Sequence, residues 1–270
     1  MGATEITRSP ENLQFLFDSE SLYDYWSCMA IADRKERARR EREKLIVEHA
    51  DDLLRFHGYL GLNLDELAER IEYSKATIYN HYCSKEDLVL AVATMHLDTR
   101  TELFKRALTF SGRTRERMFA IGIADQILAQ IFPHGFPILQ LIRTQSIWEK
   151  AAPERHEAYY EKSGGCMQTA QEIIRQAKAE GDLGEDSPPL ENIITGLVSL
   201  AKGAHLLAEG ERMFPEETRI EPLDLLNDNY QIFLDGAGWA PLSSEWDYDA
   251  TEKRVKQELF ASEIALIEQK

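Results

Sequence analysis

The sequence predicts an all-α protein, in which an N-terminal three-helix bundle containing a helix-turn-helix joins a larger helical domain. Three observations predict it. Apolar residues recur at three- and four-residue spacing along most of the chain. Val/Ile/Thr alternation and hairpin signals such as Asn-Gly are absent. Two short helical patterns, 64–71 and 75–82, are separated by a three-residue turn.

Composition permits a sizeable core. Of 270 residues, 43% are hydrophobic and 29% charged, a balance of folded rather than disordered chains. The formal net charge of −16 runs against nucleic-acid binding when taken alone. Its distribution changes the reading. Residues 34–44 hold seven basic and three acidic side chains, a local charge of +4. Screening at cellular salt confines exposed charge effects to about 8 Å, so an acidic body need not cancel a local basic contact. The same charges partly alternate in sign, as on any solvated helix face.

The elements follow in order. Residues 1–33 form an extension with aromatic runs at 13–17 and 22–26. A helix is expected from about Arg37 to His57, with Ile46, Ala50, Leu53 and Leu54 inward and Gly58 as its stop. Asn63 is a good N-cap for the next helix, with Glu66 placed for a capping box. Ser74 caps a short helix to His81. Ser84 caps a long one reaching about Phe110. Further helices are expected over 114–132, 136–150 (bent, with Pro137 near its start), 154–180 (its rhythm broken at Gly164-Gly165 and ended by Gly181), 189–209 and 222–235. The run from Gly236 to Pro241 reads as the end of the compact part. One amphipathic helix follows over 251–269, with Val255, Leu259, Ile264 and Ile267 on one stripe.

The pair around 64–82 has specific physical needs. The first helix must bury Leu67, Ala68 and Ile71 against the second, and Ala68 is small where the two cross. The second must bury Ile78 and Tyr82 and leave Lys75, Ala76, Thr77, Tyr79 and Asn80 free. That free face suits a major groove about 12 Å wide.

This block resembles the TetR family of bacterial transcriptional regulators. The resemblance rests on Ile46-Val-Glu-His-Ala50, Leu53-Leu54, Gly58-Tyr59, Asn63 to Arg70, and above all Ser74-Lys-Ala-Thr-Ile-Tyr-Asn-His-Tyr-Cys-Ser-Lys-Glu-Asp-Leu88. It implies a homodimer that binds a palindromic double-stranded operator as a repressor and is released by a small organic effector. By that resemblance Tyr79 and Lys85 hold phosphates, with Thr77 and His81 able to do likewise. Lys75, Ala76 and Asn80 face bases, and Asn63 lies at the same surface. Phosphate contacts set register and base contacts set sequence. Glu72 stands where the family's turn has Gly, which demands an unusual backbone angle there. Tyr73, Leu62 and His49 also depart from the family's usual residues.

Other features are weighed against plain packing. Phe104, Trp148, Tyr159 and Met167 are candidate effector-pocket residues, and Tyr160 is similar, although aromatics usually pack as core. Ile193, Leu197, Leu200 and Phe233 are candidates for a subunit interface. His134, His156 and His205 have no His or Cys partner at helical spacing, so no metal and no cofactor are expected. Cys28, Cys83 and Cys166 fit neither a metal motif nor a disulfide framework, which points to a reducing compartment. No apolar run approaches the roughly 20 residues of a membrane helix, and a cytoplasmic location is expected. No nucleophile elbow, phosphate loop or zinc-protease motif occurs, so an enzyme is not expected.

The expected organisation is an extension at 1–33, a DNA-binding unit at 34–90, an effector-binding and dimerisation domain at 91–240 and a helical extension at 241–270. The alternative function is a helical dimeric interaction protein that keeps the helix-turn-helix as scaffold without DNA binding. Glu72 and the overall acidity support it.

Overall fold

A computed structural model describes residues 19–209 and 221–269, with side chains from residue 33 onward. The apolar run at 13–17 lies outside the described residues. Among those described, every regular element is helical.

Helix α1 (Ser19–Gly61) starts well before the expected Arg37 and breaks at Gly58, where φ is 62° and ψ −178°. The three caps read from the sequence form as hydrogen bonds. Asn63 caps α2 (Leu64–Arg70) by accepting from the Asp65 amide at 2.9 Å. Ser74 caps α3 (Lys75–Tyr79) by accepting from the Thr77 amide at 3.1 Å. Ser84 caps α4 (Lys85–Leu108) by accepting from the Asp87 amide at 2.9 Å. The capping box at Glu66 does not form, because Glu66 accepts from Arg70 instead.

The α2–α3 turn is a Schellman motif. The Tyr73 amide donates to the Ala68 carbonyl and the Glu72 amide to the Glu69 carbonyl. That motif requires a left-handed residue, and Glu72 supplies it with φ of 57°, alone among the described non-glycine residues. Below the turn, Ile46, Ala50 and Leu53 of α1, Leu67 of α2 and Ile78 of α3 are fully buried together with Leu88 and Val92 of α4.

Helix α4 runs about 36 Å at 1.5 Å per residue and belongs to both cores. Its first half closes the small bundle, and Leu103, Phe104 and Ala107 enter the larger one. It packs along α5 (Thr114–Ile131) and α8 (Pro153–Glu180). Helix α8 runs through Gly164-Gly165 as the one long helix expected, although the apolar rhythm lapses there. At Gly165 a Cβ would sit 3.1 Å from Thr101 Cγ2, so glycine here lets α4 and α8 approach closely. The bent 136–150 segment is two helices, α6 (Gly135–Leu141) and α7 (Gln145–Lys150). Helices α9 (Leu190–Glu209) and α10 (Leu226–Gly236) pack against each other, and Phe233 presses on Gly196.

The expectation that the compact part ends by Pro241 is corrected. Trp239 is fully buried, and its indole donates to Thr114 Oγ1 at 3.1 Å. The fully buried Arg115 donates to the Trp239 carbonyl at 2.6 Å and pairs with Asp235 at 2.7 Å. Beyond it, α11 (Tyr248–Glu258) and α12 (Ala261–Glu268) replace the single helix expected over 251–269. Both return to the core through Tyr248, Val255 and the fully buried Phe260. Thr251 donates to the buried Glu116 at 2.8 Å, and Arg106 pairs with Glu263 at 2.5 Å.

Candidate nucleic-acid interface and effector cavity

The inward edge of α3 is set by Ile78, with Tyr82 just beyond its end, both buried. The opposite edge is free. Lys75, Ala76 and Asn80 are exposed, Thr77 is half-buried and Tyr79 is 48% exposed. Asn63 is exposed beside them, but its side-chain oxygen is engaged as the α2 cap. Lys75 Nζ lies 2.8 Å from Asp65 Oδ2, a surface pair that solvent and salt weaken. Lys85 sits over the Tyr59 ring, 4.6 Å from its centroid, at the edge of the same surface. Burial lowers its pKa, against the opposing effect of Glu86.

His81 is placed differently from the rest. Its side chain is 6% exposed, and its Nδ1 lies 3.3 Å from Glu43 of α1. It borders the groove beside Thr77 and Asn80, but it is largely covered and held by Glu43. The basic segment of α1 is better placed than its alternating charges suggested. Arg39 and Arg42 border a groove with Thr77, Asn80 and Tyr73, so the two arginines extend the α3 surface.

The larger domain holds a cavity of about 240 Å³ between α4, α5, α6, α8, α9 and α10. Phe104, Tyr159 and Met167 line it. Trp148 does not: it stacks on His156 with centroids 4.4 Å apart and packs with the small bundle's core. The cavity's polar groups are unevenly charged. Arg100 forms a two-pronged pair with Asp125, both bonds 2.7 Å, which cancels those charges. Arg143 and Lys202 also line the cavity, and neither pairs with a carboxylate among the described residues. Burial and the neighbouring Arg143 and Arg100 depress the Lys202 pKa. His205 stacks on Phe136 at 4.7 Å, and burial lowers its pKa from the ordinary 6.5.

A polar hub fastens the two units together, and sequence reasoning missed it. Ser84 Oγ donates to the Lys150 carbonyl at 2.8 Å, and Lys150 Nζ lies 2.9 Å from Glu86. Asp87 accepts from the Ala152 amide at 3.1 Å. Arg155, in the first turn of α8, donates to the His81 carbonyl at 3.1 Å and lies over the Tyr82 ring at 4.7 Å. The α7–α8 junction therefore holds the α3–α4 turn directly.

Residues 46–92 match the family of bacterial regulatory proteins, tetR family. Residues 46–92 therefore carry the N-terminal domain of that family. The chain is 33% identical over 82 residues to the HTH-type transcriptional activator FasR of Mycolicibacterium smegmatis. The match covers 30% of the chain and 37% of FasR, about a third of that relative's length. Solved structures share the fold over most of the chain. A putative transcriptional regulator from Saccharomonospora viridis in complex with choline gives a TM-score of 0.58 at 20% identity, covering 73% of this chain and 96% of its own. FadR from Bacillus subtilis in complex with stearoyl-CoA gives 0.56 at 13% identity, covering 72% of this chain and 98% of its own. A TetR/AcrR regulator from Thermobifida fusca gives 0.54 at 22% identity, covering 73% and 98%. No described helix is long and apolar enough to cross a membrane.

Proposed function

We propose that this chain is a TetR-family regulator that binds an operator through α3 and is switched by an effector in the larger domain's cavity. The observation that carries the reading is the two-sided character of α3: Ile78 locks one edge into the bundle, while Lys75, Thr77, Tyr79 and Asn80 stand free on the other. Tyr79, Thr77 and Lys85, with Arg39 and Arg42, fit phosphate contacts. Lys75, Ala76 and Asn80 fit base edges, where an Asn amide can engage adenine with two hydrogen bonds. His81 borders the groove, but its low exposure and its contact with Glu43 fit a positioning role better than a phosphate contact.

Two copies are needed to read a palindrome, with α3 helices about 34–36 Å apart or a multiple of that. Leu206, Leu207 and Ile232 on α9 and α10 are exposed large apolar residues, and we assign the dimer contact to this face. Of the interface candidates from sequence, Ile193 is fully buried within its own chain and Phe233 packs on Gly196, so their part is to support that face.

The effector is an apolar molecule with a negatively charged group. Phe104, Met118, Leu128 and Leu197 supply the apolar wall, and Arg143 and Lys202 supply positive charge that pairs with no carboxylate among the described residues. FadR's stearoyl-CoA has both parts, an apolar chain and an anionic end. Binding shifts the chain between two arrangements, and the hub at Glu86, Asp87 and Arg155 carries the shift to α3. Repression relieved by effector is the sign carried forward, and FasR's role as an activator makes the opposite sign the alternative. Genome-wide mapping of bound DNA, with reporter output at the recovered sites, tests the reading. Discrete sites whose reporters respond to deletion of the protein are expected. An absence of site-specific binding would leave the scaffold reading in its place.

A further inference from the structure

The expectation that His134 stands alone is corrected by the fold. Its Nε2 lies 2.7 Å from Asp51 Oδ1, and His96 Nε2 lies 2.8 Å from the same oxygen. Asp51 comes from α1, His96 from the middle of α4, and His134 from the turn before α6. The three ligand atoms fall within 4.8 Å of one another. All three side chains are largely enclosed: Asp51 is 7% exposed as a residue, and the His96 side chain 3%.

We infer that Asp51, His96 and His134 form a binding site for a divalent transition-metal ion of the zinc class, at the junction of the DNA-binding bundle and the effector domain. The donor chemistry fits. Two imidazole nitrogens and one carboxylate oxygen suit zinc and its first-row neighbours, with positions left for water. The geometry also fits. Ligand bonds of 2.0–2.2 Å at tetrahedral angles place donor atoms roughly 3.3 Å apart. Reaching that spacing moves each His nitrogen about half an ångström or more from the carboxylate oxygen, and the donors, now within 4.8 Å of one another, converge on one centre.

Charge is the stronger argument. A buried carboxylate must be compensated. Asp51 has no Lys or Arg partner among the described residues, only the two histidines. Imidazole supplies a full positive charge only when protonated. A divalent ion compensates the carboxylate while both rings remain neutral.

The position assigns the site a role. It bolts α1 of the reading bundle to α4 and to the α5–α6 turn, and His96 also lines the effector cavity. An ion held there stabilises one setting of the bundle against the larger domain.

The test uses the full-length protein stripped with a chelator. Co²⁺ is titrated in and followed by its visible d–d absorption, and Zn²⁺ is then added in competition. We expect one Co²⁺ per chain, displaced by one Zn²⁺, with no thiolate charge-transfer band of the kind Cys83 would give. His134→Gln and His96→Gln are each expected to weaken binding at least tenfold. His134 lies in a turn, so its variant keeps the proposal testable should His96→Gln fail to fold, and circular dichroism checks helix content in both. Absence of stoichiometric binding by the wild-type chain, a thiolate spectrum, or undiminished binding in folded His134→Gln would each overturn the site.

Discussion

At the scale of single residues, Glu72 is where sequence and backbone disagree most. Left-handed backbone costs a side-chain-bearing residue roughly 1–2 kcal/mol, and glycine in turn loses part of that relief through its flexibility when unfolded. Glu72→Gly should therefore raise stability by up to about 1 kcal/mol in denaturant titration. It should also tighten DNA binding a few-fold, since a negative charge leaves the surface beside α3. His205 gives a pH signature. Burial favours its neutral form and lowers its pKa from 6.5. A depressed folded value means that its contribution is present above 6.5 and is lost as the pH falls through the folded value. Thermal midpoints should fall as the pH drops below 6.5, and His205→Gln should flatten that part of the profile.

The elements show what could be read in advance. Asn63, Ser74 and Ser84 announced three helix starts because a cap is a local event, fixed by residues three apart. The two-sided pattern of α3 was legible for the same reason. The hub was not legible, since Arg155 and the His81 carbonyl are 74 residues apart and no periodicity connects them. His96 was overlooked as one histidine on a long, largely buried helix, and His134 was judged alone because its partners lie on α1 and α4. The cavity's Phe104, Tyr159 and Met167 were anticipated as aromatic and soft side chains, whereas Trp148 found a nearer partner in His156. The hub makes its own prediction. A hydrogen bond from a charged donor contributes about 1.5–3 kcal/mol, so Arg155→Ala should loosen the α3–α4 turn by at least about tenfold. Amide hydrogen exchange over residues 75–82 should quicken accordingly, while exchange in α5 stays unchanged.

For the whole molecule, the C-terminal segment is the main revision. Gly236-Ala-Gly has the composition of an ending, yet the next residue, Trp239, is a buried anchor tied to Thr114 and Arg115. The apolar stripe at 255, 259, 264 and 267 is real, but Phe260 divides it into two helices that both face the core. Trp239→Ala should cost about 3–5 kcal/mol, as for other large aromatic truncations. In a domain of this size that lowers the thermal midpoint by roughly 6–20 °C, measurable by calorimetry. A shift of a degree or two would mean that the segment is a dispensable appendage.

The central claim is that the free edge of α3 reads DNA. In vitro selection from random duplexes tests it most directly, run in parallel with wild-type protein, Tyr79→Ala and Asn80→Ala. The account predicts that wild type enriches a motif of two inverted half-sites. Tyr79→Ala should enrich the same motif more weakly, since a phosphate contact carries no sequence information, and Asn80→Ala should relax or change the base at one position in each half. Enrichment of no motif by the wild-type chain, or of the same motif equally by all three proteins, would contradict it.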